Sequence, residues 1–446
     1  MTINQKPMDV YMEKNEGELK TINIAILAEE PLFWSSLKHY FPLILNDFSW
    51  KIQNTTYKIS ASYIYDRDIL KGKLTISAYD VLLIPGGGVG DGESMVKGFN
   101  SLRKVKKWKK KIQEFVKAGG GCIGICGGAA LITDLCTELK KTTTFIERQY
   151  DRSSIGISCV TSYYKEVAFI LFYPFQRKHP EKVGASFYVF SFAPGETTDG
   201  IRIHTGGAPL DFQVCKNNPI FSDFSDNTLR MRWLAGQAFL VPENPDREVT
   251  ILARYPENDI SENASTRVYA WTYTGGIHGL FLALLKAFRL AKVEHISLKY
   301  VLMHAFFLAG DWKPTDKVIE LDHANKPCMT AEIYPNENKA RIILCAPHPQ
   351  YMIWWGGHLE EVDHTGFHCL GTGLHQWKDI TPLSNNAKNE LTYTWWVLRR
   401  LVAWAAKVPD SQLPPIDNTE ELEEKFSVLY NNIFWDGTPI NQMNSI

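Results

Sequence analysis

Residues 121–128 read Gly-Cys-Ile-Gly-Ile-Cys-Gly-Gly, and Ala129-Ala130-Leu131-Ile132-Thr133-Asp134-Leu135 follows at once. A short apolar run, a Gly-x-Cys-x-Gly turn and a helical pattern in that order predict strand, sharp turn and helix. This is the context of a nucleophile elbow, in which the turn forces its central residue into a strained backbone conformation. Side chains on the neighbours would clash there, and glycine at 124, 127 and 128 removes them. A Cys126 thiol so placed stands at a helix N-terminus, where the backbone dipole favours thiolate. The competing reading is a buried structural cysteine between two packed elements.

The surrounding pattern places this turn in a sheet. Asp80-Val81-Leu82-Leu83-Ile84-Pro85-Gly86-Gly87-Gly88 is an apolar strand ending in a glycine turn, about 40 residues upstream, a spacing that suits one βαβ unit. Ligands of open parallel sheets sit beyond the carboxyl ends of the strands, so both glycine turns should share one edge. The N–H groups of Gly87 or Gly88, with those of Gly127 and Gly128 nearby, are candidates for an oxyanion hole. Residues 22–28 and 57–64 read as two further strands, and 32–46 as a helix. Leu102, Val105, Trp108, Ile112, Phe115 and Val116 lie at helical spacing, with Gly119 as a C-cap. The expected class is α/β: a doubly wound, flavodoxin-like, mostly parallel sheet with an elbow, a helical insertion and a C-terminal helical extension.

The chain has 446 residues, net charge −1, 45% hydrophobic and 22% charged residues. These values suit a globular protein and argue against a nucleic-acid binder or an acidic disordered chain. The lysines and arginines of 103–117 are read as the solvated face of an amphipathic helix, since no aromatics interleave with them. The eight cysteines form no Cys-x-x-Cys pair, and residues 1–20 are polar, so a cytoplasmic protein with free thiols is expected. No apolar run is long enough to span a bilayer; 277–288 comes nearest and is read as a buried helix, with an interfacial membrane or partner-binding helix as the minority reading.

Farther along, strands are expected within 155–172, within 184–193 and at 250–255, with another glycine turn at 204–209. Residues 258–325 read as a largely helical insertion, with segments around 277–292 and 296–309. Its role as a lid or as an oligomer interface stays open. Cys328–Tyr334 and Ala340–Cys345 read as a hairpin over Pro335-Asn336-Glu337-Asn338, whose second strand delivers Ala346-Pro347-His348-Pro349-Gln350. Leu391, Trp395, Leu398, Val402 and Ala405 mark a C-terminal helix. The divisions are a polar tail at 1–20, an α/β domain at 21–257, the insertion at 258–325, a closing part at 326–378 with a histidine-rich loop, and a helix and tail at 379–446.

A cysteine nucleophile needs a base, and His348 emerges from a strand on the expected ligand edge between two prolines. These motifs together resemble the class I glutamine amidotransferase-like superfamily. Within it the chain looks most like the biotin–protein ligase N-terminal-domain-like branch, in which an Ala253-Arg254-Tyr255-type strand and a closing Pro-His-Pro-Glu are familiar. The resemblance covers about residues 21–255 and 326–352.

The resemblance implies that Cys126 forms a thioester with an amide or acyl substrate, with His348 as general base and then acid. Gln350 stands where the family has a glutamate; an amide orients an imidazole but does not stabilise imidazolium by charge. Glu29 and Glu30 are candidate replacements, because related cysteine hydrolases place an acid after the first strand. Glu360, Glu361 and Asp363 are further candidates. His358, His364, His368, Cys369 and His375 are metal-ligating types at spacings that match no standard site, so no metal and no cofactor is assigned. Expected partners are a small amide or acyl molecule and a separate synthetase or acceptor subunit, with no nucleic acid, no membrane and an open question of homo-oligomerisation. The alternative is a catalytically degenerate binding or scaffold protein on the same fold.

Overall fold

The computed structural model describes residues 18–28, 37–86, 102–135, 154–163, 189–191, 203–204, 208–233, 236–257, 267–293, 312–320, 323–350, 358–367, 372–378 and 385–416. Its centre is one ten-stranded sheet. The strands are β1 (Glu18–Leu27), β2 (Ser49–Ile52), β3 (Thr55–Ile64), β4 (Val81–Ile84), β5 (Gly121–Ile125), β6 (Ala208–Val214), β7 (Thr228–Trp233), β8 (Val249–Arg254), β9 (Pro327–Ile333) and β10 (Arg341–Cys345). They lie in the order β7-β6-β8-β9-β10-β5-β4-β1-β3-β2. The block β10-β5-β4-β1-β3 is parallel throughout. β2 closes one side antiparallel to β3, and β9, β8, β6 and β7 extend the other side antiparallel.

Strands buried on both faces carry unbroken apolar runs, whereas half-buried ones alternate. Val81-Leu82-Leu83-Ile84 and Gly121–Ile125 are buried at every position, as are Ile342–Cys345. β3 sits nearer the side of the sheet and alternates partly. Register matters most for the site. Ile84 lies opposite Gly124, and Gly124 opposite Leu344, so β4, β5 and β10 end level. Pro85-Gly86, Cys126 and residues 346–350 therefore leave the sheet at one edge.

The described helices are α1 (Leu37–Leu45), α2 (Asp66–Leu70), α3 (Leu102–Lys117), α4 (Gly127–Ile132), α5 (Gly276–Val293) and α6 (Asn385–Ala405). No described helix or strand packs along α5, whose Ile277, Phe281 and Phe288 are exposed, so the reading of 277–288 as a buried helix is corrected. On α3, Val105, Trp108, Ile112, Phe115 and Val116 are buried, while Arg103, Lys104, Lys106, Lys107 and Lys110 face solvent. The helix stops as expected at Gly119, whose φ of 106° is open to glycine; the Gly120 N–H then bonds the Phe115 carbonyl. α6 packs on β5, β7 and β10 and buries Trp395, Leu398, Val402 and Ala405. It is tied to α1 by Arg399, whose Nε and Nη2 donate to the Ile44 carbonyl at 3.1 and 3.0 Å.

Two further expectations change. The stretch read as a histidine-rich loop contains two antiparallel strands, His358–Phe367 and Thr372–Lys378, in a four-stranded sheet with Val189–Ser191 and Ile203–His204. Its glycines suggested a loop, but glycine tolerates extended backbone when cross-strand pairing supplies the hydrogen bonds. The insertion read as largely helical holds α5 and also a strand pair, Arg267–Tyr273 with Trp312–Glu320. Those strands are about 40 residues apart, so local periodicity does not show their pairing. The helix expected at 296–309, and residues 417–446, lie outside the described residues.

Candidate active site

Cys126 joins β5 to α4 with φ 50° and ψ −117°. A side-chain-bearing residue there is strained by about 1–3 kcal/mol and persists only when its surroundings over-determine it. They do. Its N–H donates to the Cys345 carbonyl on β10 at 2.7 Å. Its carbonyl accepts from the N–H groups of Ala129 and Ala130 and from Gln237 Nε2 at 3.0 Å. The glycines make the turn possible by close approach. A Cβ on Gly124 would lie 2.6 Å from the Ala129 Cα, and one on Gly128 would overlap the Ile84 carbonyl at the end of β4. A Cβ on Gly86 would lie 2.5 Å from the Cys126 Cβ, so the glycine turn after β4 presses directly on the cysteine turn.

Cys126 is 1% exposed. Burial pushes it up to about 12, against a smaller lowering by a hydrogen bond from the Gly127 N–H. Burial thus opposes the thiolate that a helix N-terminus favours, and α4 has only six residues.

His348 follows β10 three residues past Cys345, which is paired with Ile125 immediately before Cys126. The two residues leave neighbouring parallel strands on the same edge. The His348 N–H donates to the Arg232 carbonyl at 2.9 Å, bridging the end of β7. The imidazole is fully buried; desolvation, then the Arg232 charge, pulls it down to about 3. It is a neutral ring at physiological pH. Gln350 Nε2 lies 2.9 Å from His348 Nδ1. With the amide donating, Nδ1 is the acceptor and the ring proton sits on Nε2. Gln350 Oε1 is buried with no partner among the described residues.

Sequence reasoning missed the wall opposite Cys126. Gln237 is fully buried and spends an amide hydrogen on the Cys126 carbonyl, while its Oε1 has no partner among the described residues. The loop carrying it is clamped by Tyr255, whose hydroxyl donates to the carbonyls of Gly236 at 2.8 Å and Gln237 at 3.1 Å. Trp233 Nε1 bonds the same Gly236 carbonyl at 2.9 Å. Gly236 abuts the Ala346 carbonyl so closely that a Cβ would sit 2.5 Å from it. The dipeptide Gly236-Gln237 carried no periodic or motif signal. Tyr255 was visible in the Ala-Arg-Tyr strand, but its task is set by a loop about 20 residues away.

Gly127 and Gly128 open α4 beside Cys126 as expected. Gly87, Gly88, Glu29 and Glu30 lie outside the described residues, as do His368 and Cys369. Glu360, Glu361 and Asp363 fall on the His358–Phe367 strand. Glu332 is a buried carboxylate, but its register partner Ile342 puts it toward the other end of the sheet. There it accepts from Ser158 and from the Cys159 N–H and faces Arg247 at 3.6 Å. It does not serve His348. Among the described residues, no group of three or more His, Cys, Asp or Glu side chains is placed to hold a metal ion.

A scan of protein-family models finds no match to the chain, and a search of curated proteins finds none either.

Proposed function

We propose that this chain is a cysteine-dependent amidohydrolase or amidotransferase-like enzyme on a doubly wound, flavodoxin-like sheet, with Cys126 as the nucleophile of an elbow and His348 as its base. The observation that carries this reading is the backbone of Cys126, φ 50° and ψ −117°, held between a strand and a helix by four hydrogen bonds and three close-packed glycines. Stored strain of this kind clusters at functional sites. The parallel order β3-β1-β4-β5-β10 supports the flavodoxin-like part, since it is the 2-1-3-4-5 order of that sheet.

The chemistry follows from a neutral thiol and a neutral imidazole that leave neighbouring strands at one edge of the sheet. Sulfur attacks the carbonyl carbon of an amide as its proton passes to His348. The tetrahedral oxyanion is held by the Gly127 N–H and one from Gly87 or Gly88. The C–N bond breaks, the leaving amine takes the proton from His348, and a thioester on Cys126 remains. Water, deprotonated by His348, then releases the acid and the thiol. Accepting the proton at Nε2 requires the Gln350 amide to turn over, so that Oε1 accepts from Nδ1–H. The free thiols at Cys122, Cys159, Cys215, Cys328 and Cys345 support work in a reducing compartment such as the cytoplasm. No helix among the described residues is long and apolar enough to cross a membrane.

One observation favours a second reading, a catalytically degenerate binding or scaffold protein. The Gln350 amide holds His348 in the tautomer whose Nε2 is already protonated, and both reactive groups are sealed from water. Intact-mass labelling with a diazo-ketone analogue of glutamine separates the two. Single labelling that disappears in Cys126→Ala supports the enzyme. A folded wild type that takes no label, or labels equally at Cys215, supports the degenerate reading.

A further inference from the structure

The Cys126 carbonyl has one hydrogen bond more than a helix start requires. The Ala129 and Ala130 N–H groups reach it at 2.9 and 3.1 Å, which already satisfies both lone pairs of the oxygen. Gln237 Nε2 adds a third bond at 3.0 Å, from a loop 111 residues along the chain. Gln237 is fully buried, and its Oε1 has no partner among the described residues. An unmet buried acceptor is destabilising, so an apolar side chain of the same length would fill this space with less penalty. What the amide supplies and an apolar chain does not is a donor aimed at one backbone oxygen.

The surrounding loop holds that donor in place. Tyr255, fully buried just past β8, donates its hydroxyl to the carbonyls of both Gly236 and Gln237. Trp233 Nε1 holds the Gly236 carbonyl as well, and Gly236 lies against the Ala346 carbonyl. Gln237 thus extends from backbone fixed at its own carbonyl and at the preceding one.

The consequence lies in a peptide plane. Cys126 C=O and Gly127 N–H belong to one planar unit, in which they point in opposite directions. Turning the carbonyl turns the N–H. That N–H is hydrogen-bonded to the Cys126 thiol. In an elbow it belongs to the residue after the nucleophile, which supplies a donor to the oxyanion. Such a donor works when it is held within about 10–20° of the productive direction. Gln237 grips the opposite end of the same plane.

We propose that Gln237 is a positioning residue for the oxyanion hole, acting through the Cys126–Gly127 peptide plane, with Tyr255 holding Gln237 in place. This rests on Cys126 being the nucleophile. It adds a requirement that the thiol's own reactivity does not share, because only reactions that develop charge on a carbonyl oxygen need the aimed N–H.

The test compares two probes of Cys126 in the full-length protein, with Cys126→Ala as the blank. p-Nitrophenyl acetate acylates the thiol through a tetrahedral oxyanion: an S–C bond forms, the ester C–O bond breaks, p-nitrophenolate leaves and the thiol proton passes to His348. With iodoacetamide the sulfur displaces iodide at a methylene carbon, and no oxyanion forms. First-turnover release of p-nitrophenolate reads the first reaction and intact mass the second. Gln237→Met keeps the side-chain length and removes the donor. It should slow acylation about 10- to 100-fold and leave alkylation within about threefold of the wild type. Tyr255→Phe should show the same selective loss to a smaller extent, and it carries the test if Gln237→Met does not fold. Equal slowing of both reactions in a folded variant overturns the proposal, because Gln237 would then only support the fold. Unchanged acylation overturns it too. A wild type alkylated but not acylated at Cys126 overturns this proposal and spares the nucleophile. A wild type that takes neither probe at Cys126 overturns both.

Discussion

Replacing Gln350 by glutamate tests the electrostatics of the site directly. The change puts a carboxylate where an amide nitrogen now lies 2.9 Å from His348 Nδ1. Two effects follow. The carboxylate can only accept, so the ring proton moves to Nδ1 and Nε2 becomes the acceptor that a base requires. Imidazolium also gains a counter-charge. At about 4 Å between charge centres and an effective dielectric constant of about 20, the attraction is about 4 kcal/mol, or roughly three pKa units. His348, now pulled down to about 3, should then rise toward the ordinary histidine range. Loss of the correct tautomer in a serine protease triad lowers turnover about 10⁴-fold, so restoring it here should speed Cys126 alkylation by between about 10-fold and that limit. The assay is the rate of single-site labelling by iodoacetamide from pH 5 to 9, read by intact mass, with His348 followed by NMR in histidine-labelled protein. An unchanged rate together with an unchanged His348 midpoint, in a variant that melts cooperatively, would refute the assignment of tautomer control to Gln350.

Other outcomes follow from the same geometry. His348 is held neutral below its unfolded value, so the unfolded chain binds the extra proton between about pH 6.5 and about 3. Stability should rise with pH across that window, with about 5 kcal/mol at stake, and denaturant titrations of His348→Phe should lose that share of the slope. Cys126 is held protonated up to about 12, so its contribution is present below the ordinary thiol range and is lost as pH rises through 9 to 12; Cys126→Ala should flatten the alkaline limb of the same curve. Gly128→Ala places a methyl into the Ile84 carbonyl and should lower stability by about 3 kcal/mol or more, seen as a fall in the denaturant midpoint. At position 126, glycine should be at least as stable as alanine, reversing the usual order by about 1 kcal/mol, because φ there is 50°. A clearly more stable alanine variant would mean the strain is absent.

Most of the parallel block was legible because its signals are local. Val81–Ile84 and Gly121–Ile125 are short apolar runs bounded by glycine, and a doubly buried strand has no other way to look. α3 and the buried half of α6 were legible from helical spacing, and the β9–β10 hairpin from its turn. Illegible were the strands at Arg267–Tyr273, Trp312–Glu320, His358–Phe367 and Thr372–Lys378, whose partners are distant or whose glycines speak for loops. At the site, Cys126 and His348 stood out by context. Gln237 and Arg232 did not, because each is hydrogen-bonded to a backbone atom more than 100 residues away, and Tyr255 showed only as the end of its strand, not as the clamp on the Gly236-Gln237 loop.

The sequence by itself determined which residue sits in the strained turn, since only glycine at 86, 124 and 128 permits the approach of β4, β5 and α4. It also determined that His348 would leave a strand between two prolines. Only the tertiary structure decided the protonation state of both groups. A thiol at a helix start and a histidine near neutral pH are reactive in isolation. Here burial pushes one up to about 12 and pulls the other down to about 3. Desolvation is a property of everything packed around a side chain, and β7, β8, β10 and the Gly236–Ala238 loop all lie at residues 228–345, more than 100 residues after Cys126.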